Sequence, residues 1–207
     1  MIDFNRTKVY NWENAIVGMR HPLESYHKID SDFENNKIGD NDLNLMKKLC
    51  NAGSDHRKFM RQILVSVDIK APLYWWKEAD TYKISTVANS TSSMHTIHKN
   101  GIEDSLFSLE DLMLSLPHSE LMVVYDYLNL IEEQRVKFNN TKDKSHWRNV
   151  IQLLPSSLNQ TRMMTMNYEV IRNMYHGREN HKLSEWRIGF VKWVNTLPYA
   201  KELIIGE

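Results

Sequence analysis

The feature that most restricts the fold of this chain is an alternating apolar segment that is followed closely by a proline. Residues 62–69, QILVSVDI, alternate apolar and polar side chains, which predicts a half-buried β-strand. The apolar positions are Ile63, Val65, Val67 and Ile69. A proline in the first turn of a helix gives up only an N–H that has no intrahelical partner, so Pro72 can open a helix. We expect that helix to carry Leu73 and Trp76 and to run toward Lys83.

Most of the remaining chain has helical periodicity. Asn167 is a plausible N-cap for one of these helices and Ser184 for the last, which we expect to end near Pro198. The helical segments are 41–52, 119–138, 145–155, 167–178 and 183–197. Residues 161–166, TRMMTM, favour a further short strand. Helices with a few strands define the predicted fold class, α+β.

Composition indicates one cytoplasmic domain. A length of 207 residues fits a single domain over 1–207, and 42% hydrophobic residues can fill its core. Lys and Arg together number 26, as do Asp and Glu, and this balance disfavours a general nucleic-acid binder. No apolar run reaches the roughly 18 residues of a membrane span, and the N-terminus has no signal-peptide core. We expect no nucleic-acid or membrane partner.

Common catalytic and metal-binding motifs do not occur in the sequence. GxGxxG, GxxxxGK[ST] and GxSxG are all absent, which removes the usual dinucleotide-binding, P-loop and hydrolase signals. The pair His95 and His98 and the pair His176 and His181 lack the Cys or carboxylate neighbours that would complete a zinc site, so no metal is expected. Cys50 lies on an apolar helix face, which favours a buried structural thiol over a nucleophile.

Residues 81–95, TYKISTVANSTSSMH, are rich in small hydroxyl side chains, and we name them the hydroxyl segment. Six Ser or Thr residues lie between Ser85 and Ser93. Each hydroxyl is both a donor and an acceptor, so the segment suits a cradle for a polar ligand such as a nucleotide. A solvated loop is the alternative.

A second candidate region lies at 154–186. Asn167, Asn173 and Arg178 are 6 and 5 residues apart, and on a helix Asn173 and Arg178 fall within about 140° of each other. An Arg with nearby amides suits the recognition of a phosphate and a planar heterocycle. A polar helix surface would explain the same pattern.

These regions resemble the flavin-dependent thymidylate synthases, the ThyX family. The stretch VDIKAPLYWW resembles the strand and KAP entry to the helix that carries the family signature. The run LLP, Asn167, Asn173, Arg178 and HKLSEW resembles the family's C-terminal LP…N…N…R…HAQxE run. The resemblance covers roughly residues 40–195 and implies a ThyX-like fold, with helices packed around a small sheet.

The family signature RHRxxSxNExSxRY falls on the hydroxyl segment, with one residue inserted and most charged positions changed. Asn89 and Ser92 match its Asn and second Ser. The changed positions are Thr81, Tyr82 and Lys83 for RHR, Ser90 for the Glu, and Met94 and His95 for the final Arg-Tyr. Glu78 takes the place of a family Gln, and Ile151 that of an Arg four residues before the LLP proline.

The resemblance implies a substrate site and a flavin site. In it, residues 85–95 form the substrate loop that holds the nucleotide of dUMP. The implied substrate-binding residues are Glu78, Asn89, Ser90, Ser92, Ser93 and Arg178. The implied FAD-binding residues are His56, Tyr82, Lys83, Asn167, Asn173 and His181. Losing arginines at Met94 and Ile151 would remove phosphate contacts worth about 3–6 kcal/mol, which Arg162, Arg148 or Lys182 could restore.

The resemblance also implies an activity. In the family, NADPH reduces FAD, methylenetetrahydrofolate supplies a one-carbon unit, and the flavin mediates its transfer to C5 of dUMP without an essential thiol. We therefore expect a thymidylate synthase-like methyltransferase that converts dUMP to dTMP. The alternatives are an enzyme of this fold acting on another pyrimidine nucleotide, and a non-catalytic nucleotide- or flavin-binding homologue. Family members assemble their sites between subunits, so we expect a homotetramer.

Overall fold

The structure is a computed structural model that describes residues 2–35 and 37–206. Its strands are β1 Asp3–Tyr10, β2 Leu64–Pro72, β3 Val87–Ser90 and β4 Asn159–Asn167. They form one sheet with the order β1-β2-β4-β3. The predicted strands at 62–69 and 161–166 are confirmed, and β4 extends beyond its predicted ends. β1 was not predicted.

Helices make up most of the other elements. The α-helices are α1 Trp12–Arg20, α2 Asp40–Asn51, α3 Leu73–Ala79, α4 Ser93–Thr96, α5 Glu110–Ser115, α6 His118–Thr141, α7 Lys144–Leu153, α8 Tyr168–Arg178 and α9 Val191–Val194. Short 3₁₀ helices are His21–Leu23, Tyr26–Lys28, Lys58–Arg61 and Asp104–Leu106, and π-helices are Glu185–Phe190 and Lys201–Ile205. The predicted helix-rich α+β class is confirmed. None of the helices in the described residues is both long and apolar enough to cross a bilayer.

β2 and β4 are antiparallel neighbours. The Ile63 carbonyl, just before β2, accepts the N–H of Tyr168 at 3.0 Å, and the hydroxyls of Ser66 and Thr165 share a hydrogen bond of 2.8 Å. A step forward along β2 is therefore a step backward along β4. β2 buries every second side chain, as its sequence alternation predicts.

The described residues divide into two compact units. The first comprises residues 2–3, 69–81 and 89–162. The second comprises residues 4–68, 82–88 and 163–206, except residue 36. The single domain expected over 1–207 stays a prediction.

The first unit has an aliphatic core along α6 and α7. Leu128 and Ile131 of α6 are buried with Val150 of α7. These residues lie on the apolar faces that the sequence predicts for the two amphipathic helices. The other buried members are Ile97, Phe107, Leu109 and Leu158. The carboxylate of Glu132 on α6 accepts the N–H of Ile102 at 2.9 Å, which secures the chain ahead of α5.

The second unit has an aromatic core. Trp186, Phe190 and Trp193 are buried there. The Phe4 ring of β1 stacks on Trp193 with a centroid separation of 4.7 Å, and the Trp193 indole donates to the Thr7 hydroxyl at 3.0 Å. β1 is thus held by aromatic residues near the other end of the chain, a partnership that local sequence does not encode.

Three local expectations were wrong. α3 ends at Ala79 and does not continue toward Lys83, because the N–H and hydroxyl of Thr81 both donate to the Glu78 carbonyl and close the last turn. Residues 85–95 are not a loop throughout, since they contain β3 and most of α4. Ser184 makes no side-chain cap hydrogen bond, and a π-helix at Lys201–Ile205 follows Pro198, so the helix at 183–197 is not the last.

Candidate functional site

In the second unit, Arg178 lies between two aromatic rings at the end of α8. Its guanidinium carbon is 5.6 Å from the ring centre of Tyr82 and 5.4 Å from that of Trp186. Its Nε donates to the Tyr82 hydroxyl at 3.2 Å. A Cβ at Gly177 would lie 3.0 Å from that hydroxyl, so a glycine here leaves room for Tyr82. Cation–π attraction and the hydrogen bond fix this cation, and we call Tyr82, Arg178 and Trp186 the arginine clamp.

α8 begins with the predicted cap. The side-chain oxygen of Asn167 accepts the N–H of Val170 at 2.9 Å, which satisfies a donor that has no partner within the helix. Asn167 is buried, whereas Asn173 is exposed on the same helix. The two asparagines expected at the flavin therefore have different surroundings. One is engaged in the fold and the other is open to a ligand.

His181 lies three residues beyond α8 and next to the arginine clamp. Its Nδ1 accepts the N–H of Leu183 at 3.2 Å, so the neutral ring carries its proton on Nε2. Its ring centroid is 6.4 Å from that of Trp186. The structure thus places Tyr82 against Arg178, which is 96 residues away in the sequence, and His181 lies beside the same clamp.

Lys83 follows Tyr82 in a tight turn. The N–H and the hydroxyl of Thr86 both donate to the Lys83 carbonyl, at 3.3 and 3.1 Å. Ser85 takes the left-handed conformation inside this turn, with φ of 62°. The Lys83 side chain is exposed, so the turn presents its charge to solvent.

A cavity of about 600 Å³ in the second unit contains His56 in its wall. That volume lies within the range of about 300–1,000 Å³ that is typical of ligand pockets. Leu45, Leu49 and Phe59 give it an apolar side, and Lys58 lies beside His56 in the lining. The lining therefore combines apolar side chains with the polar groups of Asp55, His56 and Lys58.

The segment carrying His56 is tied to α8. Arg57 donates through Nε to Glu169 at 2.8 Å, and Glu169 is a buried acid in the first turn of α8. An acid at this position also interacts favourably with the helix N-terminus. The ion pair fixes the backbone beside His56.

In the first unit, the other predicted substrate residues lie on or beside β3 and α4. Asn89 and Ser90 are exposed on β3, while Ser92 and Ser93 are half-buried at the start of α4. The Ser92 carbonyl accepts the Thr96 hydroxyl at 2.7 Å. The Glu78 side chain is half-buried near the end of α3. Strand and helix thus give the hydroxyl side chains defined positions.

A series of hydrogen bonds between polar side chains, which the sequence did not predict, connects Asp80 to the hydroxyl segment. Asp80 accepts from Arg162 at 2.9 Å, Arg162 donates to Gln160 at 2.9 Å, and Gln160 donates to the Thr91 carbonyl at 2.8 Å. Gln160 and Arg162 lie two residues apart on β4 and so on one face of the strand. The alternation of polar residues in β4 is the one feature of the sequence that indicates this network. The pairing of Arg162 with Asp80 could not be predicted, because the two residues are 82 positions apart.

Cys50 has no nucleophilic character. It is buried in the second unit with its Sγ 3.3 Å from the sulfur of Met60. Burial raises the pKa of the Cys50 thiol to about 11, so the thiol stays protonated near neutral pH. Within residues 2–35 and 37–206, no group of three or more His, Cys, Asp or Glu side chains is arranged to hold a metal ion.

Comparison with known proteins places the fold. No protein-family model matches the sequence, and no curated protein matches it. A crystal structure of thymidylate synthase X (ThyX) from Helicobacter pylori with FAD and dUMP aligns at a TM-score of 0.69 and 15% identity, covering 98% of this chain and 96% of that chain. A second Helicobacter pylori structure, flavin-dependent thymidylate synthase ThyX complexed with FAD and dUMP, aligns at 0.70 and 14% identity, covering 98% and 97%. The chain therefore has a ThyX-like fold, with a sequence that has diverged far from these proteins.

Proposed function

We propose that this protein is a flavin-dependent thymidylate synthase-like enzyme. It would methylate dUMP to dTMP with FAD as cofactor and with NADPH and methylenetetrahydrofolate as co-substrates. The observation that carries the proposal is the fold likeness over 98% of this chain to proteins whose structures contain FAD and dUMP. The side chains described above add polar and charged groups that suit a nucleotide and a flavin.

For the substrate, the chain offers a fixed cation and a set of neutral polar groups. Arg178 supplies a guanidinium for the phosphate, and such charge-assisted hydrogen bonds are about twice as strong as neutral ones. Asn89, Ser90, Ser92 and Ser93 supply donors and acceptors for a pyrimidine and a sugar. With Glu78, these are the residues to which we assign the nucleotide.

For the cofactor, the cavity beside His56 fits a flavin by its chemistry. An apolar side suits a planar ring system, and Lys58 with His56 suits an anionic group. The family resemblance assigns His56, Tyr82, Lys83, Asn167, Asn173 and His181 to flavin binding, with Asn167 acting through its cap of α8. Of these residues, His56 lines this cavity and the other five do not. When bound, the flavin supplies the redox chemistry of the one-carbon transfer.

The single cysteine supports chemistry that needs no thiolate. Cys50 is the one cysteine of the chain, and its pKa of about 11 leaves about one molecule in 10⁴ ionised at pH 7. A mechanism that begins with thiolate attack on the pyrimidine would therefore lack its nucleophile. Flavin-dependent methylation has no such requirement.

The first test is the visible spectrum of the purified protein. Bound oxidised flavin absorbs near 450 nm, a property of the cofactor. A colourless protein that takes up no added FAD would contradict both the thymidylate synthase proposal and an enzyme of this type acting on another nucleotide.

The second test is turnover. Tritium release from C5-labelled dUMP, with NADPH and methylenetetrahydrofolate present, reports methylation directly. Binding of FAD and dUMP without release would favour the non-catalytic homologue. Flavin binding with release only from a different pyrimidine nucleotide would favour the other enzymatic alternative.

A further inference from the structure

In the first unit, Arg162 of β4 lies over the indole of Trp76. Its guanidinium carbon is 4.2 Å from the ring centre. Its Nε donates to Gln160 Oε1 and its Nη1 to Asp80 Oδ1, each at 2.9 Å. The Trp76 indole N–H donates in turn to the Gln160 carbonyl at 3.0 Å. Because the ring covers one face and two acceptors hold the edges, the guanidinium plane has one orientation.

Gln160 connects Arg162 to the hydroxyl segment. Its side-chain amide accepts from Arg162 and donates to the Thr91 carbonyl at 2.8 Å. Main-chain pairing reinforces this link, since the Thr91 N–H donates to the Thr161 carbonyl at 2.9 Å. Thr91 directly precedes Ser92, so Arg162 is fixed beside the run of hydroxyls that the proposed substrate would use.

Arg162 keeps donor capacity for an anion. A guanidinium has five N–H donors, and the contacts described engage Nε and Nη1. The Arg162 side chain is 17% exposed and that of Asp80 is 50% exposed, so their pair reaches water. Such pairs contribute little free energy. A phosphate, with more negative charge than one carboxylate, can replace Asp80 at that edge.

We infer that Arg162, in addition to the Arg178 assigned above, binds the phosphate monoester of the nucleotide held by the hydroxyl segment, displacing Asp80; this inference rests on the proposed function. Arg presents parallel N–H groups that match two phosphate oxygens. Before the nucleotide binds, Asp80 and Trp76 hold the guanidinium in place, so little side-chain order is lost on binding.

The test compares dUMP with deoxyuridine, which differ only in the phosphate. Calorimetric titration of both ligands gives an affinity ratio for the wild type and for Arg162→Gln, Asp80→Asn and Lys144→Gln. We expect Arg162→Gln to lower the dUMP-to-deoxyuridine ratio about ten-fold while deoxyuridine affinity is unchanged. Asp80→Asn should raise the ratio, because a competing carboxylate is gone. Lys144→Gln, at an exposed position of α7, is a matched loss of charge and should leave the ratio unchanged.

Each other outcome has a definite meaning. An unchanged ratio in Arg162→Gln with tight dUMP binding by the wild type overturns this inference and leaves the proposed function standing. Equal losses for both ligands would show that Arg162 only supports the fold, and they too overturn it. A loss of FAD affinity with an unchanged ratio would assign Arg162 to the flavin diphosphate instead. If the wild type binds neither ligand, the proposed function fails and this inference fails with it.

Discussion

At Arg178, two aromatic rings and a phenol hydroxyl fix a cation whose side chain would otherwise be flexible. Immobilising a flexible side chain on binding costs about 0.5–1.5 kcal/mol, and the arginine clamp has already met this cost in the folded protein. The Tyr82 hydroxyl accepts from Nε, which holds the guanidinium against the Tyr82 side chain.

Replacing Arg178 by alanine should therefore weaken dUMP binding. A hydrogen bond to a charged group is worth about 1.5–3 kcal/mol, so we expect a loss of roughly 10- to 150-fold with little change in FAD binding. Arg187→Ala, an exposed charge in the same unit, is the control and should bind as the wild type does. Ser92→Ala should have a smaller effect, because it removes one neutral hydroxyl. Equal dUMP affinity in Arg178→Ala and wild type would show that Arg178 does not hold the phosphate.

Cys50 should be unreactive in the folded protein. Burial raises its pKa to about 11 from an ordinary 9.0, so the folded thiol ionises about two pH units later than the unfolded one. Above pH 9 the unfolded chain binds fewer protons at Cys50 than the folded chain does. The contribution of this group to the free energy of unfolding is therefore lost as pH rises from 9 to 11.

We expect iodoacetamide to label Cys50 slowly at pH 8 in buffer and rapidly in denaturant. Rapid labelling in buffer would contradict the buried placement.

At the scale of elements, α8 depends on its cap. Asn167→Ala removes the acceptor for the Val170 N–H and should lower the free energy of unfolding by about 0.5–2 kcal/mol, measured by urea denaturation. Asn167→Ser keeps a capping oxygen and should retain most of that stability. If the serine variant is stable but binds FAD less tightly, Asn167 also contacts the flavin. If alanine and serine lose the same stability, the cap does not determine the strength of this helix start.

The elements that the sequence predicts are those whose apolar side chains recur with a regular period and are buried in the fold. β2, α6 and α8 bury the faces that their sequences mark as apolar, and they were predicted. β3 is exposed along its length, so no apolar alternation marks it. Only backbone pairing with a distant strand makes it a strand, and local propensity does not report such pairing.

For the candidate site, the sequence predicts residues but not the contacts that hold them. Spacing and the family resemblance predict Arg178 and Asn167 as ligand-binding residues, and these roles stay predictions. The partner of Arg178, Tyr82, lies 96 residues away, and that of Arg162, Asp80, lies 82 residues away. Local sequence patterns do not report which distant side chains meet, because these contacts depend on folding of the whole chain.

At the scale of the whole molecule, α6 bears apolar side chains on its exposed surface as well as on its buried face. Val123 is 67% exposed and Leu130 is 42% exposed, and with Tyr127 they follow i, i+4, i+7 spacing along the helix. Leu112 and Met113 of α5 are also exposed in the same unit. Exposed apolar side chains at this spacing are typical of an interaction surface, and we propose that a second copy of this chain covers it.

We therefore expect a homotetramer with closed symmetry in which α6 contributes to a contact between copies. Light scattering at micromolar concentration with FAD present should give four times the chain mass of 24.5 kDa. Leu130→Glu places a charge on the exposed apolar surface, and burying it unpaired in a contact is costly, so this variant should shift the population toward smaller species. Glu133→Gln changes an exposed charge on the same helix and should leave the mass unchanged. A monomer in the wild type would contradict the assembly, and a tetramer unaffected by Leu130→Glu would place the contact elsewhere.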